Sequence, residues 1–312
     1  MPSMPERTAV VTGGAGFLGS HLVEELVRRR WRVRVVDDLS SGTRRNLSAV
    51  KRQVDFKQAD ILNPKAMDAA FDGADVAFHM AAKVSVAESN EEPELYARVN
   101  VAGLLQALEA ARKQDVKRFI FPSSAAVYAE GAPVRKTERS PLGPVSPYAV
   151  TKVLGEALCR VYHEDHGLET ASLRLFNVYG ARQTAVGGYA SVIPKFLDAI
   201  ANGKKPVVYG DGMQTRDFIH VDDVVTAFLL AAEKRGIGGE EFNIGSGRAV
   251  SIRALLDTMR TAIGSRLKPK FVSARKGEVR DSCAGIAKAR HLLGFQPKVS
   301  LTDGLARLSR HF

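Results

Sequence analysis

The feature that most constrains this chain is Thr12-Gly13-Gly14-Ala15-Gly16-Phe17-Leu18-Gly19. It follows an apolar run, Thr8-Ala9-Val10-Val11, and leads into an amphipathic stretch from Gly19 to Arg30. A strand, a tight glycine turn and a helix in that order make a cradle for a pyrophosphate. Residues without Cβ let the backbone approach the phosphates, and the helix N-terminus presents N–H groups and the positive end of its dipole. A second β-branched run, Arg32 to Val36, ends in Asp37-Asp38. An acid about 20 residues past the glycines stands where a carboxylate hydrogen-bonds the adenosine ribose. It repels a 2′-phosphate, so the spacing points to NAD rather than NADP. Arg44 and Arg45 are the residues that would argue for the other cofactor.

The alternation continues. Val54 to Gln58, Val76 to His79 and Arg118 to Phe121 read as further strands, with helical stretches near Pro64 to Phe71 and Pro93 to Gln114 between them. Strands that are continuously apolar and alternate with helices predict an α/β fold, a Rossmann-like doubly wound parallel sheet. The second half is richer in turn signals, among them Gly187-Gly188, Gly210-Asp211-Gly212 and Gly245-Ser246-Gly247. Phe242-Asn243-Ile244 reads as a late strand, and Ser251 opens a helix. The expected organisation is an NAD-binding domain over 7–176 with a return segment near 217–245. A smaller C-terminal α/β substrate lobe takes 177–216 and 246–312.

Composition excludes several classes. With 312 residues, 45% hydrophobic and 25% charged, the chain is neither disordered nor collagen-like. Two cysteines, Cys159 and Cys283, are too few for a disulfide framework. Lys and Arg total 45 against 34 Asp and Glu, a formal charge of +11. The densest clusters, Arg28-Arg29-Arg30 and Arg44-Arg45, carry no interleaved aromatics, so the charge reads as a solvated surface and not as a nucleic-acid site. No apolar run approaches the roughly 20 residues of a membrane span. Met1 to Thr8 lacks a signal-peptide core. The expected location is the cytoplasm, with neither nucleic acid nor membrane as partner.

Tyr148-Ala149-Val150-Thr151-Lys152 places a phenol and an ammonium four residues apart, on one face of a helix that Pro147 is suited to start. A free tyrosine titrates near pH 10, and a neighbouring cation favours the phenolate, as general acid–base work at neutral pH requires. Phe121-Pro122-Ser123-Ser124 follows a strand. A hydroxyl at the carboxyl end of a parallel strand faces the crevice where such folds bind ligands.

With these motifs in this order, the sequence resembles the extended short-chain dehydrogenase/reductase family, and within it the UDP-glucose 4-epimerase type, over nearly its whole length. Thr12 to Leu22 matches the family cofactor loop, which implies cofactor contacts at Gly13, Gly16, Phe17, Leu18 and Gly19. Asp37 and Asp38 match the end of the second strand, Asp60 and Ile61 the adenine contact, and His79-Met80-Ala81-Ala82 the motif that sets Ala81 and Ala82 beside the cofactor. Asn100 sits in the N-V-x-G segment. Ser124, Tyr148 and Lys152 align with the catalytic serine, tyrosine and lysine. The implied cofactor is NAD, and no metal is implied.

The same resemblance implies a UDP-sugar substrate. Leu173 to Gly180 is similar to the R-x-F-N-x-x-G crossing, whose asparagine, here Asn177, holds the diphosphate. Gly210 to Asp223 is similar to the segment whose arginine, here Arg216, does the same. Arg275 matches a diphosphate clamp and Glu278 a ribose contact; Val192 and Tyr209 complete the implied substrate pocket. Ser282 stands at the position that gates the C2 substituent, and its small size leaves room for an N-acetyl group. Ser124-Ala125-Ala126 lacks the acid pair that dehydratases carry after the hydroxyl residue. Gly285 departs from the family's usual Asp, and Lys83 occupies a variable position read as exposed. The resemblance also implies a homodimer through helices near 94–113 and 147–165. The implied activity is 4-epimerisation by transient oxidation at C4. Another extended-family enzyme, such as a uronate 4-epimerase or a reductase, and a catalytically silent NAD-binding protein are the alternatives.

Overall fold

The computed structural model describes residues 7–184, 191–274 and 280–309. Its centre is a seven-stranded, wholly parallel sheet. The strands are β1 (Thr8–Thr12), β2 (Arg32–Asp37), β3 (Val54–Gln58), β4 (Val76–His79), β5 (Arg118–Ser124), β6 (Glu169–Leu175) and β7 (Glu240–Ile244). Their spatial order is 7-6-5-4-1-2-3. The chain moves outward from β1 on one side and from β4 on the other, so the topological switch point lies between β1 and β4. That is where open α/β sheets bind ligands, at the carboxyl ends of the strands.

The helices are α1 (Phe17–Arg28), α2 (Pro64–Phe71), α3 (Val86–Glu91), α4 (Pro93–Ala97), α5 (Gly103–Lys113), α6 (Pro147–His166), α7 (Val192–Ala201), α8 (Val221–Glu233), α9 (Ile252–Ile263) and α10 (Leu301–Ser309). Both faces of the sheet are covered, which is why the strands read as unbroken apolar runs. Ala9, Val11, Val35, Phe78 and Ile120 pack with Leu22 and Leu26 of α1 and Val224 and Phe228 of α8. The alternate residues Val10, Val36, Ala77, Phe119 and Phe121 pack with Met67 of α2, Leu104 and Leu108 of α5 and Cys159 of α6. Period-two alternation therefore sends successive side chains into two separate cores.

A third cluster, with Phe196 of α7, Leu255 and Met259 of α9 and Leu305 of α10, gathers around Tyr179 and Phe218. It holds the segments that carry the expected substrate residues. The helical stretch expected over 93–114 is interrupted: α4 and α5 are joined by a π-helical turn, Arg98–Ala102, which carries Asn100 inward.

Candidate active site

The glycine turn is built as the sequence implies. Gly13 has φ +65, and a Cβ there would lie 2.6–2.8 Å from backbone atoms of Met80 and Ala81, so the β1 loop is pressed against the loop after β4. At Gly19 a Cβ would meet the Gly13 carbonyl oxygen at 2.2 Å. Gly16 caps α1 with no side-chain hydrogen bond, and the first turn carries no acid. A side-chain-free helix N-terminus behind a glycine turn fits an anionic pyrophosphate.

Around it, Asp37 is buried, accepting from the Ala15 N–H through Oδ2 and the Leu39 N–H through Oδ1, each at 2.8 Å. Burial pushes its pKa up, and those two N–H groups oppose the shift. Asp38 accepts from Ser40. Asp60 is exposed and caps its own turn through the Leu62 N–H, while Ile61 is buried. On the other side of the switch point, the Ala81 N–H donates to the Thr12 hydroxyl, which pairs with His79 Nδ1 at 3.0 Å. Asn100 accepts from the Lys83 N–H and donates to the Lys83 carbonyl and to Thr151 Oγ1. It thereby ties the loop after β4, with Ala81 and Ala82, to α6.

Helix α6 carries the residues expected to serve as acid and base. Ser146 accepts from the Ala149 N–H, Pro147 occupies the first turn, and Gly167 closes the helix in the left-handed region. Tyr148, Lys152 and Glu156 are buried one turn apart on the face turned to β5. The ends of β5 answer each of them. Ser124, whose Oγ accepts from the Ala126 N–H, is the side chain that acts on the Tyr148 phenol. The Pro122 carbonyl accepts from Lys152 Nζ at 2.8 Å. Ser123 Oγ donates to Glu156 Oε1 at 2.5 Å. β4 pairs with β5 only as far as Ile120, so on that side Pro122 has no strand partner, while on the other it stays in register with Leu173 of β6.

Burial holds the Tyr148 pKa above the usual tyrosine value, and only the Ser124 hydrogen bond opposes it. This is the reverse of the direction expected from the Tyr-Lys spacing. The reason is geometric: the ammonium turns to the Pro122 carbonyl and lies over the Phe121 ring, 4.8 Å from its centre. Burial also brings Lys152 down to about 8, with Glu156 opposing.

On the substrate side, Asn177 is exposed and follows β6 directly; its N–H donates to the Asp217 carbonyl. Arg216 Nη1 donates to the Thr215 and Arg280 carbonyls. Ser282 is buried beside it, its N–H bound to the Thr215 carbonyl, so the structure brings Arg216 and Ser282 together. Val192 opens α7 and Tyr209 ends a short strand, both half-buried. Arg275 and Glu278 lie outside the described residues. Gly285 donates its N–H to the Lys136 carbonyl at 2.7 Å. Lys83 is half-buried, its Nζ 3.8 Å from Glu88.

Two groups escaped the sequence reading. Glu156 lies four residues after Lys152, the same spacing that singled out Lys152 from Tyr148, and could have been found by extending it. Tyr96 meets Tyr148 edge to face at 6.5 Å and donates to Glu88, a contact between elements that no local spacing reveals. Among the described residues, no group of three or more His, Cys, Asp or Glu side chains is placed to hold a metal, and no helix is long and apolar enough to cross a membrane.

A glycine cradle at the switch point of a doubly wound sheet, with a buried Tyr-Lys pair beside the half-buried Ser124, defines an enzyme of the extended short-chain dehydrogenase/reductase class. The comparisons place it further. The model of the NAD-dependent epimerase/dehydratase family matches residues 9–245, and the chain belongs to that family, whose cofactor is NAD. A UDP-glucose 4-epimerase of Mycolicibacterium smegmatis is 38% identical over 97% of each chain. The crystal structure of a UDP-glucose 4-epimerase from Thermotoga maritima with UDP-glucose superimposes with a TM-score of 0.93 at 39% identity, covering 98% of each chain. A UDP-N-acetylglucosamine 4-epimerase from Methanobrevibacter ruminantium, in complex with UDP-N-acetylmuramic acid, superimposes with a TM-score of 0.92 at 34% identity. That match covers 98% of this chain and 100% of the other.

Proposed function

We propose that this protein epimerises a UDP-hexose at C4, interconverting UDP-glucose and UDP-galactose and accepting the N-acetylated pair. The observation that carries the reading is the burial of Tyr148 and Lys152 one turn apart on α6 against the end of β5, with Lys152 Nζ bound to the Pro122 carbonyl at 2.8 Å. NAD, held by the Gly13–Gly19 turn, Asp37, Asp38, Asp60, Ile61 and the Ala81-Ala82 loop that Asn100 fixes, supplies the acceptor and donor of the C4 hydride. Tyr148 takes the 4-hydroxyl proton during oxidation and returns it during reduction. Ser124 orients that hydroxyl, and Lys152 holds the nicotinamide ribose. Arg216, Arg275 and Asn177 anchor the diphosphate, and Glu278 the uridine ribose, while Val192 and Tyr209 line the nucleotide side. An arginine fork suits phosphate oxygens. Anchored there, the keto sugar can present its other face. The small Ser282 leaves space for an N-acetyl group. Ala125 and Ala126 supply no acid after Ser124, which favours epimerisation over elimination.

The relatives that carry UDP-glucose and UDP-N-acetylglucosamine in their names support this substrate class. A panel of UDP-glucose, UDP-N-acetylglucosamine and UDP-glucuronate, followed by proton NMR of the anomeric signals without added cofactor, tests it. Galacto signals from the first two are expected; conversion of the uronate alone would replace the reading.

The working assembly in this proposal is a homodimer. Val150, Leu154 and Val161 of α6 are 41%, 45% and 45% exposed and fall on one helical face. A contiguous apolar stripe of that kind marks a protein contact.

A further inference from the structure

Glu156 has no role in the reaction proposed above, yet it is the most heavily tied side chain of the region. Its carboxylate is 4% exposed. Arg174 grips it with two hydrogen bonds, Nε to Oε1 at 2.9 Å and Nη2 to Oε2 at 2.8 Å, and Ser123 donates to Oε1. Ser123 and Arg174 are register partners across β5 and β6, so one carboxylate on α6 fastens two neighbouring strands. The residues on either side of Ser123 are Pro122, which holds Lys152, and Ser124, the side chain that acts on the Tyr148 phenol. A displacement of Ser123 therefore moves both contacts of the acid–base pair.

The charge count leads to the same residue. Lys152 is 3% exposed and faces His79 from β4, the Phe121 ring from β5, and Tyr148, Glu156 and Cys159 from its own helix, with Arg174 of β6 behind Glu156. Burial keeps His79 neutral, at about 3, and pushes the Cys159 thiol up to about 12. The Glu156 carboxylate is left as the negative charge that the ammonium shares with the Arg174 guanidinium. Arg174 remains cationic: burial works against its charge, and the Glu156 pairing outweighs burial.

We infer that Glu156 is a positioning residue: its buried carboxylate locks Ser123 to Arg174, fixes the end of β5 against Tyr148 and Lys152, and supplies the nearby negative charge that favours the Lys152 ammonium. The inference rests on the proposed function for its catalytic consequence, but not for its electrostatic one. The test is Glu156→Gln, which keeps an oxygen for Ser123 and removes the charge. In holoenzyme labelled with [13Cε]lysine, the Lys152 resonance is assigned by its loss in Lys152→Met and followed against pH. It should titrate near pH 8 in the wild type and about one pH unit lower in Glu156→Gln, since losing a nearby opposite charge makes the proton easier to lose. Glu156→Asp, which keeps the charge, should stay at the wild-type midpoint. In turnover, the alkaline limb of Glu156→Gln should move toward neutral pH by the same amount.

An unmoved Lys152 midpoint, or activity lost equally at every pH, overturns the inference. A moved midpoint in a protein whose wild type converts no UDP-sugar leaves the inference standing and removes the proposed reaction. Glu156→Gln strands a buried guanidinium, a change that costs stability. Ser123→Ala then carries the test: it cuts only the tie to β5 and should lower kcat about tenfold with KM within twofold, against an unchanged kcat if the lock has no role.

Discussion

The Lys152 ammonium lies 5.8 Å from the centre of the Tyr148 ring and is bound at 2.8 Å to the Pro122 carbonyl. The ammonium is therefore directed to the β5 backbone and not to the phenol, and Ser124 is the side chain that opposes burial at Tyr148. Tyr148→Phe should lower turnover by about 10²–10⁴-fold, the usual span of a general acid–base group. NAD should still be bound, as measured by nucleotide released on denaturation. Turnover within tenfold of wild type would remove Tyr148 as the base.

Helix α6 can carry these residues because it lies close on β5. A Cβ at Gly155 would stand 2.4 Å from the Phe121 ring, the ring that also supports Lys152. Gly155→Ala should cost about 1–3 kcal/mol in urea unfolding, the usual range for overpacking, and should lower kcat because α6 must shift. Wild-type stability together with wild-type kcat would show that the contact between helix and strand has no such role.

His79 gives the fold an acid weakness. Burial, with the Lys152 charge adding to it, brings its pKa from 6.5 to about 3. Between those values an unfolded chain takes up a proton that the native chain refuses, so stability falls with acidification, by up to about 1.4 kcal/mol per pH unit. Urea unfolding at a series of pH values should show a steeper acid slope for wild type than for His79→Gln. Parallel slopes would contradict this.

The order of strands and helices was legible because each strand of the sheet is buried on both faces and each βα turn carries its own punctuation. The glycine turn, Asp37 and the Tyr148-Lys152 pair could be read from spacing alone, since each depends on one local element. The pairing of Ser123 and Arg174 on Glu156 could not: it joins α6, β5 and β6, and only the sheet register brings those residues together. The direction of the Tyr148 shift was hidden for a similar reason. Sequence places Lys152 beside it on the helix but does not reveal that the ammonium is directed to Pro122.

The exposed face of α6 predicts an assembly. The wild type should behave as a dimer in light scattering, and Leu154→Glu with Val161→Glu should halve the mass while leaving the far-ultraviolet circular dichroism unchanged. A monomeric wild type, or a dimer indifferent to both charges, would contradict the proposed interface.

In the proposed reaction, hydrogen leaves C4 and returns to the same carbon without exchanging with water. UDP-[4-2H]glucose incubated with the protein in ordinary water, with no cofactor added, tests it directly by NMR and mass spectrometry. UDP-galactose that keeps deuterium at C4 is the predicted result. Product with the label washed out, or no conversion of UDP-glucose at all, would contradict it.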